Sequence, residues 1–255
     1  MPFTFAHPLY IAPLKWLQPS YISLTGLILG SMSPDYEYFI ALEPFQSIGH
    51  SATGLLFQGI PLSILFACLF HYIIKIPLAE HLPSLYNTDL KTRQWIKMNE
   101  HRKFGNLKAA FVFLICVVIG FYSHIGLDAF THKSGSFVTK YSFLQQTIAG
   151  FPVYKLLQHT LSLIGLTLEA WFLINLLKRT KLTTASDRQR PHTKLRYWLL
   201  VMLITIITVA LKLTFTASTN TIGIIVVSTI SGISMGILLS SVRYWILRHY
   251  AVRST

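Results

Sequence analysis

The 255-residue chain is 52% hydrophobic and only 12% charged, with 22 Lys and Arg against 9 Asp and Glu and a net charge of +13. A soluble domain of this size carries about twice that share of charge, which excludes an ordinary water-soluble enzyme. Nucleic-acid binding is excluded as well, because the basic residues gather in loops beside apolar blocks instead of forming a patch on a soluble fold.

The N-terminal stretch MPFTFAHPLY has neither the basic region nor the cleavage site of a secretory signal. Residues 10–32 are moderately apolar but broken by Pro13, Lys15, Gln18 and Pro19, so Tyr21–Met32 is predicted as a short interfacial or re-entrant helix. In SPDYEYF, Ser33 reads as an N-cap, Pro34 as the first helical residue and Asp35 as a member of the first turn. Five blocks then reach the ~20 residues that cross a bilayer. They are Gly54–Ile74, Leu107–Leu127, Leu156–Leu177, Tyr197–Phe215 and Thr221–Ser241. The fold class is therefore all-α: a polytopic transmembrane bundle of about five spans with a short N-terminal helix.

Loop Lys75–Asn106 carries Lys75, Lys91, Arg93, Lys97, Arg102 and Lys103, and its stretch Pro77–Lys103 is predicted to be partly helical with a break at Pro83. Loop Lys178–Arg196 carries Lys178, Arg179, Lys181, Arg188, Arg190, Lys194 and Arg196, and the tail carries Arg243, Arg248 and Arg253. Positive charge marks cytoplasmic loops, so all three are expected inside, and the uncharged turn Thr216–Asn220 outside. The expected organisation is a membrane domain over residues 1–177, a basic cytoplasmic linker over 178–195, and a C-terminal hairpin and tail over 196–255. In the hairpin, Gly232 and Gly236 are spaced for close helix packing. Cys68 and Cys116 sit within apolar blocks and read as small buried hydrophobes. His71, His81, His101, His192 and His249 read as interfacial side chains reaching the headgroups.

The chemistry concentrates in SHIGLDAFTH, where His124, Asp128 and His132 recur every four residues on one helical stripe. His124 and Asp128 are about 6 Å apart along the axis, close enough to share one cation. Imidazole nitrogen with carboxylate oxygen suits zinc, and also manganese or iron. Ionisable groups beside hydrocarbon are costly, so they mark function. The same topology puts Asp35, His50, His7 and His159 on the extracytoplasmic side, giving donors enough for two or more ions. Lys133 and Lys140, just beyond the stripe, are candidate phosphate contacts.

MPFTFAHPLYIAPLK, GSMSPDYEYF, GHSATGLLFQGIPLSILFACLFHYIIKIPL and SHIGLDAFTHKSGSFV follow, in order, the pattern of a bacterial integral-membrane family catalogued as a domain of unknown function. The chain resembles that family over residues 1–175 and by hydrophobicity alone thereafter. The family more faintly resembles inner-membrane proteins described as metal-dependent hydrolases, and zinc-dependent phospholipase C. The resemblance implies that Asp35, His50, His124 and Asp128 hold one zinc. Asp128 then bridges to a second zinc held also by His7, and His132 belongs to a third. Two features of the soluble enzymes are missing: an N-terminal amine at the site, since Met1 is six residues before His7, and an HxxxE motif after His132.

These readings predict an inner-membrane, metal-dependent hydrolase with its site near the extracytoplasmic face, acting on a phosphoester of a lipid or lipid-linked substrate. The alternatives are a non-catalytic membrane protein with a structural metal site, and a metal-dependent prenyl-diphosphate lyase or cyclase. The latter class commonly uses carboxylate clusters for magnesium, and no DDxxD-like run occurs here.

Overall fold

The computed structural model describes residues 3–18, 21–99, 107–182 and 188–253. The chain runs through α1 (His7–Ile11), α2 (Leu14–Leu17), α3 (Leu24–Met32), α4 (Tyr36–Ala41) and α5 (Ala52–His81). It continues through α6 (Thr88–Met98), α7 (Leu107–Thr131), α8 (Ser136–Lys140), a two-stranded hairpin, α9 (Val153–Arg179), α10 (Pro191–Phe215) and α11 (Thr221–Arg253). Among the described residues, five helices are long and apolar enough to cross a membrane. Much of their large apolar surface is exposed, including Leu163, Trp171, Phe172 and Leu173 on α9 and Leu203 and Ile206 on α10. Such continuous apolar surface suits lipid rather than water. The fold is that of a polytopic helical membrane protein.

Contacts divide the chain into two compact units. The first comprises residues 1–36, 47–67 and 103–175. Its core is the crossing of α3 and α7, where Leu27 and Cys116 pack with Ile11, and Phe113 and Val117 pack with Ala67. The α3 segment is not among the helices long and apolar enough to span, as expected of a re-entrant or interfacial segment. The crossing depends on glycine. A Cβ on Gly30 would lie 2.3 Å from the Val117 carbonyl oxygen, and one on Gly120 would lie 2.5 Å from that of Leu27. Ser33 departs from expectation: it caps nothing, and its hydroxyl donates back to the Gly30 carbonyl (2.8 Å). The reason is continuity, since Ser33–Asp35 forms a 3-10 turn directly after α3 and no new helix start exists to be capped. Cys116 is buried as expected, whereas Cys68 is exposed.

The second unit comprises residues 37–46, 68–102 and 176–255. Gly232 and Gly236 on α11 press against the Thr205 and Val201 backbones of α10, the close packing their spacing predicts. Pro77 has no N–H for the Ile73 carbonyl one turn back; the Trp245 indole donates there instead (2.9 Å). His81 is not an interfacial side chain. It is 2% exposed, bonds through Nδ1 to the Pro77 carbonyl (2.7 Å) and stacks on Tyr197. His192 and His249 are exposed, His71 is half-buried, and His101, with Arg102 and Lys103, lies outside the described residues.

Within residues 178–195, α9 continues to Arg179, α10 begins at Pro191, and Arg188 is anchored by Asp89 (3.0 Å) and Asn87. Asp89 is 1% exposed and also receives the Lys194 ammonium (2.5 Å) and the Ser84 hydroxyl (3.1 Å). Burial alone would raise the Asp89 carboxyl, but the Lys194 hydrogen bond and charge outweigh it and hold the group below its usual range. A carboxyl with a depressed folded-state pKa stabilises above its unfolded pKa of about 3.9, and that stability is lost as pH falls through the folded value. Asp89→Asn should therefore cost about 3 kcal/mol near neutrality by stranding the buried Lys194 charge. It should also flatten the acid limb of thermal unfolding below about pH 4 in detergent.

Candidate metal centre

The buried stripe of α7 runs Phe113, Val117, Gly120, His124, Asp128 and Thr131. One helical face thus changes from oil to ligands without leaving the interior, by the spacing that placed His124 and Asp128 together in the sequence. Three other segments bring partners to it. His7 opens α1, just after the 3-10 turn Thr4–Ala6. That N-terminal segment is pinned to α9: the Phe3 N–H donates to Ser162 (2.8 Å), Tyr10 donates to the Leu161 carbonyl (2.6 Å), and Gly165 admits Ala6. Asp35 ends the 3-10 turn after α3. His50 precedes Ser51, whose hydroxyl caps α5 by accepting from the Gly54 N–H (3.0 Å) and donating to the Ile48 carbonyl (2.6 Å).

Two groups of donors result, each mutually within 4.8 Å, and they share His124. In the first, Asp35 Oδ1 lies 3.7 Å from His50 Nε2 and from His124 Nε2, and Asp128 Oδ2 stands beside it at 3.2 Å from each of those nitrogens, hydrogen-bonded to His50. Ligands on tetrahedral zinc, with bonds near 2.0–2.1 Å, stand about 3.3 Å apart, close to the spacings of these pairs. In the second, Asp128 Oδ1 lies 3.8 Å from His7 Nε2; His132 belongs to neither group, its Nδ1 bonding to the Asp128 carbonyl (3.2 Å) at 3.4 Å from Oδ1. The rings of His7 and His124 stack at 3.8 Å.

Hydrogen bonding fixes the donor atoms. His124 Nδ1 lies 2.7 Å from the Ser31 carbonyl, which requires the proton on Nδ1 and turns the Nε2 lone pair toward both carboxylates. Thr4 donates to Asp35 Oδ2 (2.5 Å), leaving Oδ1 for the set. Asp35 Oδ1, His124 Nε2 and Asp128 Oδ1 are buried and make no hydrogen bond. Lone pairs converging on a closed space without donors are unfavourable unless a cation or protons lie among them. Burial raises the Asp35 carboxyl above its usual range, against the opposing pull of His124, Thr4 and His50. The residues present fit a cation. His7, Asp35 and His124 are fully buried, whereas the side chains of His50 and His132 are 17% and 28% exposed, so the cluster opens on their side.

His7, Asp35, His50, His124, Asp128 and His132 are thus brought together. His159 is not: it is exposed on α9, about a quarter-turn from the face that Leu161 and Ser162 present to the N-terminal segment, and belongs to neither donor set. Lys133 and Lys140 are exposed, the latter over the Tyr141 ring (5.7 Å). Sequence reasoning did not reach Thr4, the Ser31 carbonyl or the glycines of the α3–α7 crossing. The spacing of Gly26 and Gly30 was the available signal for the last of these.

The class defined here is a polytopic membrane protein with a buried His/Asp cluster. A family profile matches residues 1–242, well past the hydrophobicity-only limit set from the motifs, and the chain belongs to that family, the domain of unknown function DUF4184. No curated protein and no solved structure matches the chain.

Proposed function

We propose that this chain is a membrane-embedded, metal-dependent hydrolase that cleaves a phosphoester of a lipid or lipid-linked substrate. The observation that carries the reading is the pair of donor groups sharing His124, in which the buried Asp35 Oδ1, His124 Nε2 and Asp128 Oδ1 make no hydrogen bond. Divalent cations held by these residues, zinc first and manganese or iron otherwise, would draw electron density from a phosphoryl oxygen and acidify water. Asp35, held by Thr4, would accept the proton of the attacking water as the bond from phosphorus to the leaving group breaks. The half-exposed flank of His50 and His132 is the route by which a headgroup would enter.

A lipid substrate is supported by the aromatic ladder just past the ligands. Phe130 stacks on Phe137 (4.1 Å), which stacks on Tyr141 (6.1 Å), and Phe130 and Tyr141 are exposed, as aromatic side chains at headgroup depth are. The phosphoester rests on the likeness of the donor order to phospholipase C and on the nearby Lys133 and Lys140. The basic loops favour an inner-membrane protein with the cluster near the extracytoplasmic face.

A second reading, a structural cation, is favoured by the same convergence, since it would tie four separate stretches of chain together. Asp35→Asn separates the two. An amide retains one ligating oxygen but cannot act as a base, so the hydrolase reading expects a folded, metal-bearing protein whose turnover of lipid phosphoesters falls by about 100-fold or more. A variant that instead melts or aggregates, with wild-type protein inert toward those lipids, supports the structural reading.

A further inference from the structure

The second unit holds a cavity of about 480 Å³, at the level where α5 ends, α10 begins and α11 nears its end. Its wall includes four guanidinium groups, Arg93, Arg196, Arg243 and Arg248, against one carboxylate, Glu80. That carboxylate is already engaged. Its Oε2 accepts from the Gln189 amide (2.9 Å) and the Tyr244 hydroxyl (2.8 Å), and its Oε1 lies 3.4 Å from Arg93. Arg248 donates to the Tyr244 hydroxyl (2.9 Å) and lies over the Tyr244 and Trp245 rings. Arg196 and Arg243 have no carboxylate partner among the described residues.

Cations gathered around one concavity repel one another unless an anion joins them. Guanidinium forks match phosphate oxygens in pairs, which makes phosphate the fitting anion. The surroundings indicate depth. The Trp198 indole donates to the His81 carbonyl (2.8 Å) and that of Trp245 to Ile73, so two tryptophans ring the same helix ends, as at a membrane interface. Basic pockets between transmembrane helices hold lipid headgroups, and the volume exceeds what a bare phosphate needs.

We propose that this cavity binds a phosphate-bearing anion, either the headgroup of an anionic phospholipid or free phosphate, with Arg196 and Arg243 as its principal contacts. The site is independent of the His/Asp cluster and of the hydrolase reading. The test is equilibrium binding of fluorescent phosphatidylglycerol to the full-length protein in neutral detergent micelles, with phosphatidylcholine as the uncharged control and inorganic phosphate as competitor. Saturable binding of phosphatidylglycerol and not phosphatidylcholine is expected. Arg196→Gln/Arg243→Gln should weaken it by about tenfold or more, and the Arg→Lys pair by less. Lys178→Gln/Arg179→Gln removes the same charge outside the cavity and should change binding by less than about twofold. Displacement by inorganic phosphate would assign the site to the free ion as well, and resistance to it would assign the site to the headgroup. Absence of saturable binding by either probe in the wild-type protein, which needs no variant to fold, would overturn the proposal, as would equal losses in the cavity and control pairs.

Discussion

Replacing Asp128 by asparagine should strip the protein of most of its bound divalent cation. The carboxylate touches both donor groups, with Oδ2 at 3.2 Å from His50 and His124 and Oδ1 at 3.8 Å from His7. An amide offers one oxygen, so it can serve one set and not both, and it removes the charge that offsets the cations. Loss of a group that merely orients a ligand costs 10–100-fold in metal affinity, so loss of this bridge should cost at least about 100-fold. Elemental analysis after dialysis should find less than about a tenth of the wild-type zinc, manganese or iron. Wild-type protein without stoichiometric metal, or Asp128→Asn protein with a full complement, would sink the metal reading.

The long apolar blocks were readable because twenty consecutive apolar residues admit few alternatives. Their ends were not. Block one reaches His81 instead of stopping at Ile74, since Lys75 and Pro77 continue the helix and Glu80 finds partners in Gln189 and Tyr244. The His124–Asp128–His132 stripe was readable because helical spacing alone aligns it. His81 was misjudged because its burial depends on Tyr197, more than a hundred residues away. The Asp89–Lys194 pair has the same long-range origin. His159 was over-read: a predicted side of the membrane selects a depth, while the face of the helix decides whether a ring reaches the cluster.

Gly30→Val should damage the fold and the site together. The missing side chain at Gly30 lets α3 rest on the α7 backbone, where an added Cβ would meet the Val117 carbonyl oxygen at 2.3 Å and its Cα at 2.7 Å. Backbone cannot move aside as a flexible side chain does, so the helices must separate, at a cost of about 3 kcal/mol or more. The residues beyond Gly30 carry the consequence. Ser31 supplies the carbonyl that sets the His124 proton, and Asp35 supplies Oδ1. A shift of about 1 Å is enough to lose near-attack geometry and, with it, about two orders of magnitude in rate. Gly126→Ala is the matched control, because it lies on the same α7 and a Cβ there meets nothing within 4 Å. It should hold or slightly raise the thermal midpoint, since alanine favours helix by up to about 1 kcal/mol over glycine. If Gly30→Val purified with wild-type melting temperature and metal content, the α3–α7 contact would not be what positions Asp35 over α7.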